Sequence, residues 1–401
     1  TLKLMTYAPT GALVAAPTAA LPEQLGGERN WDYRFTWIRD ASFSVYALLG
    51  LGFTEEATAF IQWLGDRVKE RAGSDGDSGP LNIMYKVDGS SDLTEEILSH
   101  WEGYAGSAPV RIGNGAATQL QLDIYGEALD SIYFAHRHGL QLGHRGWNAL
   151  LTNLDWLTDH WDQPEEGLWE TRGGREDFTY GRMMSWVAFD RALRLAQSNG
   201  RPSAADRWQS ARDELYEQVM AKGWSETRQA FVQHYGSDVL DSSLLRMATV
   251  GFITPQDTMW TSSLDAMEQE LVSDSLVYRY NPEASPDAAR LGGHLLAVHV
   301  HVRRRPGPSG PRRPGAAGVR EDDGVRQPPG PVLGGDRPDG PSTGQFPPGV
   351  HASGADRRGD HPERRPRRPL GGVRRGSEEY EGVVVRSGGR AVSERGLEAA
   401  V

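Results

Sequence analysis

Apolar residues recur every three or four positions as far as about residue 272, a spacing that predicts amphipathic helices joined by short polar turns. The first helix is predicted at residues 37–51, and a second begins at Thr54 with an acidic first turn. Three further helix pairs are predicted, at residues 115–139 with 144–160, 178–199 with 202–222, and 239–250 with 255–272. Antiparallel helical hairpins of similar length predict an all-α toroid built by repetition.

A long segment without helical periodicity, residues 72–114, separates the first hairpin from the second. It is rich in Gly, Ser and Asp, and a loop of that length is usually functional or disordered. The segment also carries apolar and aromatic side chains, namely Ile83, Met84, Tyr85, Trp101 and Tyr104. These favour an ordered loop over the mouth of an active site.

The character of the sequence changes near residue 290. All 12 Trp precede that point, whereas residues 301–401 contain no Trp, Lys, Ile, Met or Asn and are dominated by Arg, Gly and Pro. Two interpretations compete, a disordered basic tail and a GC-rich gene read in the wrong frame. The absence of Lys, Ile, Asn and Met favours the second, because these residues need codons rich in A and T, which an out-of-frame reading of GC-rich DNA rarely produces. The predicted organisation is a linker at residues 1–25, a partial helical domain at 26–290 and an out-of-frame, disordered tail at 291–401.

Composition excludes several classes of function. The 401 residues include no Cys, so disulfides, thiol nucleophiles and thiolate metal sites are absent, and a reducing, cytoplasmic location is predicted. No apolar run reaches the length of a membrane span, and the acidic first 290 residues argue against nucleic acid as a partner. The start lacks an initiator Met and a signal-peptide pattern, which predicts truncation there.

Residues 29–40 hold the densest cluster of candidate functional side chains. Aromatic residues, including Trp37, alternate with Arg and Asp, including Arg39 and Asp40, directly before a predicted helix. A sugar site needs flat apolar faces for stacking and bidentate groups that bind hydroxyls. The alternative is a salt-bridge network that fixes the helix start, and the sequence leaves both open.

A second cluster lies in the Gly-rich loop at residues 161–174, where Trp169 precedes Glu170. Beside an indole, a carboxyl group is placed to have its pKa raised by desolvation and to act as a general acid. The alternative is that Glu165, Glu166 and Glu170 are solvated loop charges.

A third segment places Arg279 between two Tyr and could close the same pocket, although a surface cation–π pair would look the same. His100, His144 and His234 show no metal-ligand spacing, so we expect neither a metal nor a cofactor.

Four motifs, at residues 26–34, 37–41, 167–170 and 277–281, give the sequence a specific resemblance to a known family. In their order and spacing they resemble glycoside hydrolase family 15, the glucoamylases and bacterial trehalase-type α-glucosidases. The resemblance runs almost continuously from residue 1 to about residue 285. It implies an (α/α)6 barrel, here incomplete, and lacking the β-sandwich domain that precedes the barrel in bacterial members.

The resemblance also implies inverting, exo-acting hydrolysis of a terminal α-glucosidic bond, with an α-glucoside as substrate. Glu170 would be the general acid. Arg39 and Asp40 would hold the non-reducing glucose, and Arg279 would bind the same sugar from the far side. Trp37 and Trp169 would line the pocket.

Inverting chemistry also needs a carboxylate that activates water. In the family this base lies in a motif similar to Tyr-Ser-Glu-Glu, which this sequence lacks; Glu378 and Glu379 have different surroundings. Read one base later, the codons for residues 332–337 can encode that motif, and those for 294–304 and 345–360 can encode helices that resemble the family's. We therefore predict that the hydrolytic activity of this chain is impaired because its catalytic general base is missing.

Two alternative functions remain from the sequence. One is an inverting α-glucoside phosphorylase of related barrel type, in which phosphate replaces water and no base is needed. The other is a non-catalytic sugar-binding protein. The sequence does not choose between trehalose and α-1,4 glucans as substrate, nor does it predict an oligomeric state.

Overall fold

The chain is mainly helical in the computed structural model, which describes residues 1–281 except 24, 74–79, 141–142, 171–172, 202 and 274–275, together with residues 297–298. The α-helices are α1 (Ile38–Gly50), α2 (Thr54–Gly73), α3 (Asp123–Arg137), α4 (His144–His160), α5 (Thr179–Asn199), α6 (Ala205–Lys222), α7 (Arg246–Thr249) and α8 (Thr258–Leu271). Short 3-10 helices lie at Leu2–Met5, Tyr104–Gly106, Gly115–Thr118 and Ser242–Leu245.

The strands are short and pair as local ribbons. They are β1 (Thr6–Tyr7), β2 (Ala12–Leu13), β3 (Thr36–Trp37), β4 (Met84–Tyr85), β5 (Glu96–Ile97), β6 (Arg111–Ile112), β7 (Trp224–Ser225), β8 (Ala230–Phe231), β9 (Val272–Ser273), β10 (Leu276–Tyr278) and β11 (Ala297–Val298). The pairs β1–β2, β3–β4, β5–β6 and β7–β8 are antiparallel, and β10 pairs antiparallel with both β9 and β11.

The helices form an inner and an outer layer. Residues 123–132 of α3 and 179–192 of α5 are all buried, so these helices are enclosed on every side. By contrast, α6 buries a single stripe of four side chains, Trp208, Ala211, Leu215 and Val219. Helix α3 packs between α1 and α5, while α2 packs against α4 and α6 against α5. The predicted all-α fold of helical hairpins is confirmed.

Close contact between α3 and α5 depends on Gly126. A Cβ atom added there would lie 2.1 Å from the carbonyl oxygen of Met184, well inside van der Waals contact. Glycine at this position lets the two inner helices approach backbone to backbone.

Most predicted helices are confirmed, with α4 spanning residues 144–160 as expected. The predicted helix at 115–139 is wrong at its start, because α3 begins only at Asp123. The N–H of Leu120 donates to Glu166 Oε2 at 2.7 Å, and that of Leu122 donates to the Glu165 carboxylate. These donors are therefore not available for a continuous helix.

The predicted helix at 239–250 is also wrong in extent. Only the 3-10 turn Ser242–Leu245 and the four residues of α7 are helical there. Asp241 has an extended backbone that pairs with Tyr280, and its side chain accepts the N–H of Ser243 at 2.8 Å. This local geometry fixes the helical start after residue 241.

Residues 80–114 of the long loop adopt a defined path. Strand β4 pairs with β3 so that Met84 lies opposite Trp37, and Ile83, Met84 and Tyr85 are buried. Trp101 and Tyr104 of the same loop are 60% and 63% exposed.

The segment that was predicted to be an out-of-frame tail contributes one described element, the strand β11, which pairs with β10. Residues 299–401, with Glu378 and Glu379, lie outside the described residues, and the tail remains a prediction from the sequence. None of the described helices is long and apolar enough to cross a membrane.

Candidate active site

Glu170 lies in the loop between α4 and α5, in a backbone conformation that side chains seldom adopt. The loop is anchored by Glu165, whose backbone exchanges hydrogen bonds of 3.0 and 2.9 Å with Glu176. Glu170 donates its N–H to the carbonyl of Gly167 at 3.2 Å and has a φ of 56°. A left-handed backbone costs a non-glycine residue about 1 kcal/mol or more and is concentrated at functional sites.

Two side chains from the first cluster hold the carboxylate of Glu170. The indole Nε1 of Trp37 donates to Oε1 at 2.7 Å, and Nη2 of Arg39 lies 3.4 Å from the same oxygen. Trp37 is in β3 and Arg39 is in the first turn of α1, so one turn of chain supplies both contacts. The Glu170 side chain keeps 23% of its surface exposed, which leaves it reachable from solvent.

Arg39 is fixed to the same loop by further contacts. Its Nη1 donates to the carbonyl of Leu168 at 2.9 Å and to Oε1 of Gln121 at 3.3 Å, and its Nη2 lies 3.4 Å from Asp40 Oδ2. Burial opposes its charge, but the neighbouring carboxylates, Asp40 first, raise its pKa, so the guanidinium stays charged.

The pKa of Glu170 is raised. Burial is the largest cause, while the charge of Arg39 and the hydrogen bond from Trp37 act in the opposite direction. A carboxyl group whose pKa is raised keeps its proton at a higher pH, as a general acid requires.

The third cluster meets the second at Trp169. The guanidinium carbon of Arg279 lies 5.0 Å from the centre of the Trp169 ring, and Trp169 Nε1 donates to both carboxylate oxygens of Asp241, at 3.0 and 2.9 Å. The N–H of Ser242 donates to the carbonyl of Arg279 at 2.8 Å. Arg279 is thus stacked on the residue that directly precedes Glu170.

Tyr33, in the first cluster, interacts with groups of the other two clusters. Its ring lies 6.0 Å from that of Trp37, and its hydroxyl donates to Glu23 at 3.4 Å. Its pKa is raised by burial and by the charges of Glu23 and Glu170, and is lowered by that of Arg279. Because Tyr33 senses both Glu170 and Arg279, the three predicted clusters meet around one region.

The two interpretations of the first cluster divide between its residues. Arg34 and Asp32 form a bidentate pair with both distances 2.8 Å, and Arg29 pairs with Glu23 at 3.4 Å, as a salt-bridge network would. Arg39, in contrast, points at Glu170. The structure supports the network for the start of the cluster and a site for its end.

The interpretation of the second cluster as solvated charges is wrong for Glu165, which is fully buried. Glu166 forms an ion pair with Arg175 at 3.0 Å and accepts the N–H of Leu120. The carboxylates of Glu165 and Glu166 therefore fix the backbone directly before α3.

Sequence reasoning missed buried acidic residues of α3. Asp123, Glu127 and Asp130 are spaced four and three residues apart on one face of an otherwise apolar helix, and that spacing was the available signal. Burial raises the pKa of Asp123 and of Glu165, and the charge of Asp123 raises that of Glu165 further. The charge of Arg39 lowers the pKa of Asp123, which places it beneath the site.

The other two acidic residues of α3 are paired. Tyr180 donates to Glu127 at 2.6 Å, and Arg246 lies 3.5 Å from Glu127 and 3.3 Å from Asp130. Arg191 lies 2.7 Å from Asp130. A charged column therefore runs through the helical interior, with its partners supplied by α5 and α7.

No group of three His, Asp or Glu side chains in the described ranges is arranged to hold a metal ion. His234 lies against Phe178, with ring centres 5.8 Å apart, and His100 lies against Trp101. The described side chains around Glu170 are those of a site that uses acids, guanidinium groups and indoles.

Residues 1–304 match the family model described as glycosyl hydrolases family 15. The chain belongs to this family. The trehalase of Mycolicibacterium smegmatis is 42% identical to this chain over 287 residues. The matched part is 72% of this chain and 42% of that trehalase, so the chain spans less than half the length of the relative.

Solved structures share the fold. A glycosidase variant in complex with glucose superposes with a TM-score of 0.53 at 23% identity, covering 70% of this chain and 69% of the other. A bacterial glucoamylase complexed with acarbose superposes with a TM-score of 0.51 at 15% identity, covering 68% of this chain and 39% of the glucoamylase. The family 15 chain therefore has the helical architecture of a glucoamylase-type barrel over its described hairpins.

Proposed function

We propose that this chain is the acid-bearing part of an inverting, exo-acting α-glucosidase of family 15, with trehalose as its substrate. The contact of Glu170 with both Trp37 and Arg39 is the observation that carries the proposal. The identity to a trehalase supports trehalose over α-1,4 glucans.

Glu170 is the general acid in this proposal. Burial raises its pKa, which favours the protonated form before reaction. When the proton passes to the glycosidic oxygen, the resulting carboxylate is stabilised by the Trp37 N–H at 2.7 Å and by the charge of Arg39. The same two groups therefore fix the acid and favour its conjugate base.

The non-reducing glucose is bound by groups on both sides of Glu170. Arg39 and Asp40 contribute from the start of α1, and Arg279 contributes from the position directly after β10. Asp40 Oδ2 lies 3.4 Å from Arg39 Nη2, and the Arg279 guanidinium lies 5.0 Å from the centre of the Trp169 ring, so each sugar-binding group contacts a neighbour of the acid. Trp37 and Trp169 supply the apolar walls.

The general base is missing from the sequence in its family form, and we propose that the chain as written is impaired for that reason. Without a carboxylate to activate water, the acid alone protonates a leaving group that nothing displaces. The missing motif is recovered on paper by reading the codons after about residue 290 one base later.

The proposal is tested by incubating the purified chain, and a chain with the reading frame restored, with trehalose and with maltose. Proton NMR follows the anomers. Inverting hydrolysis of trehalose yields one β-glucose and one α-glucose per bond, because only the residue that is attacked inverts. We expect this product from the restored chain and little turnover from the chain as written.

Other outcomes identify the alternatives. Formation of glucose 1-phosphate only when phosphate is added would indicate a phosphorylase. Binding of glucose by calorimetry without turnover by either chain would indicate a sugar-binding protein. The cytoplasmic location stays a prediction from composition.

A further inference from the structure

Asp241 is a buried carboxylate that no part of the proposed reaction uses. It is 2% exposed and accepts hydrogen bonds from three different groups. Trp169 Nε1 donates to both oxygens at 3.0 and 2.9 Å, Gln233 Nε2 donates to Oδ2 at 3.0 Å, and the N–H of Ser243 donates to Oδ1 at 2.8 Å.

Every partner of Asp241 is a hydrogen-bond donor. An ionised carboxylate accepts at both oxygens and donates at neither, so it alone satisfies all three partners at once. An amide in the same place would set its own N–H2 against a donor. The site therefore distinguishes Asp from Asn, although the two have nearly the same shape.

The backbone of Asp241 and Ser242 is tied to the segment that directly follows β10. Asp241 forms a β-bridge with Tyr280, and the following N–H, that of Ser242, donates to the carbonyl of Arg279 at 2.8 Å. The Arg279 guanidinium returns to the Trp169 ring at 5.0 Å. Side chain, indole, guanidinium and backbone thus close a ring of contacts around Asp241.

We propose that Asp241 is a positioning residue for the sugar site. It fixes the Trp169 indole and the backbone at Arg279 relative to each other. It acts through Trp169 and Arg279 on the terminal glucosyl unit, and it does not touch the reacting atoms. The assignment of the ligand rests on the proposed function, whereas the positioning of Trp169 does not.

The structure explains why such a residue is needed. Trp169 directly precedes Glu170, so the contact that fixes the indole lies one residue from the acid. Within the described residues, Arg279 Nε makes no hydrogen bond, and the guanidinium contacts the Trp169 ring. Loss of the Asp241 contact would release both groups together.

The test compares Asp241→Asn with Asp257→Asn in the chain as it exists. Asp257 is a matched control because its carboxylate accepts the N–H of Met259 at 2.8 Å, at the start of α8, and it contacts none of the site residues. Tryptophan is labelled with 15N at the indole nitrogen, and Trp169→Phe identifies the Trp169 signal.

In Asp241→Asn we expect the Trp169 indole N–H signal to move upfield and its hydrogen exchange to quicken by about tenfold or more, because a charge-assisted acceptor is lost. Glucose binding, measured by calorimetry, should weaken by about tenfold, as expected for a lost buried charged hydrogen bond. Asp257→Asn should leave both readouts unchanged.

A double-mutant cycle separates positioning from general destabilisation. If Asp241 acts through the indole, Asp241→Asn should weaken glucose binding little further once Trp169→Phe has removed the donor. An additive loss in the double variant would overturn the proposal, as would a Trp169 signal that is unchanged in Asp241→Asn.

Failure of the proposed function has a different signature. If the unaltered chain takes up no glucose, the sugar site is wrong, yet the Trp169 signal still decides the positioning because it needs no ligand. A shifted signal then supports the positioning of Trp169, and an unshifted one overturns it.

Discussion

Glu170 has two properties that a freely placed loop carboxylate would not have. Its backbone is left-handed, with a φ of 56°, and its Oε1 accepts the indole N–H of Trp37 from a segment 133 residues earlier in the chain. The first property costs conformational energy, and the second fixes the carboxylate against the wall of the site. Together they place a single acid at the meeting point of the three clusters.

Replacement of the acid should abolish turnover and spare binding. In the chain with a restored reading frame, Glu170→Gln should lower kcat by about 10²–10⁴-fold while the glucose dissociation constant stays close to its original value, because only the proton donor is lost. Glu268→Gln, an exposed change on α8, is the control. Near-normal turnover in Glu170→Gln would remove Glu170 from the mechanism.

The hydrogen bond from Trp37 lowers the pKa of Glu170, so its removal should raise that pKa. A general acid is active when protonated, and the alkaline limb of the kcat/KM profile should therefore move to higher pH in Trp37→Phe. The measurement is a pH–rate profile of the restored chain with trehalose. Trp101→Phe removes an indole that is 60% exposed and serves as the control. A limb that stays in place or moves to lower pH would contradict this account.

At the scale of elements, local pattern predicted the helices whose ends depend on local signals. Helix α4 spans the predicted residues 144–160, with Gly143 directly before its first turn. The start of α3 could not be predicted from its own residues, because the donors of Leu120 and Leu122 bond to Glu165 and Glu166 more than 40 residues away.

The same distinction applies to the site. Residue types and motif order indicated Trp37, Arg39 and Glu170, and the structure brings these three together. The role of Asp241 left no such signal, since its partners come from three separate segments and it reads in the sequence as part of a helix.

The close packing of α3 against α5 can be tested by replacing glycine with alanine at two positions. Gly126→Ala should destabilise the protein by about 1–3 kcal/mol, because the new Cβ would lie 2.1 Å from the Met184 carbonyl oxygen and must push α3 from α5. Gly65→Ala, in α2 with open space around it, should stabilise by about 0.5–1 kcal/mol. Urea unfolding measures both, and the same sign in the two variants would contradict the packing described.

At the scale of the whole molecule, the chain matches only part of the length of its relatives. The family match ends at residue 304, and the aligned part of the Mycolicibacterium smegmatis trehalase is 42% of its length. The described residues bring Glu170 together with Trp37 and Arg39, and Trp169 together with Arg279. The composition changes near residue 290, and the out-of-frame tail stays a prediction because residues 299–401 lie outside the described residues.

A single base decides the last prediction. Resequencing the gene around the codons for Asp287 to Gly292 should reveal a one-base change that restores the Ser-Glu-Glu motif and the later hairpins, and the restored chain should then hydrolyse trehalose. The chain as written, prepared in parallel, is the control. A confirmed reading frame, together with strong hydrolysis of trehalose by the chain as written, would contradict the proposal.

The left-handed backbone at residue 170 makes glutamate unfavourable there for stability, although the proposed chemistry requires it. Glycine adopts that conformation without penalty and asparagine with little, so either would relieve the loop while removing the proton donor. In a variant library sorted only for resistance to heat, this position would drift away from glutamate. In the chain with a restored reading frame, we therefore expect the most heat-resistant variants to have lost turnover.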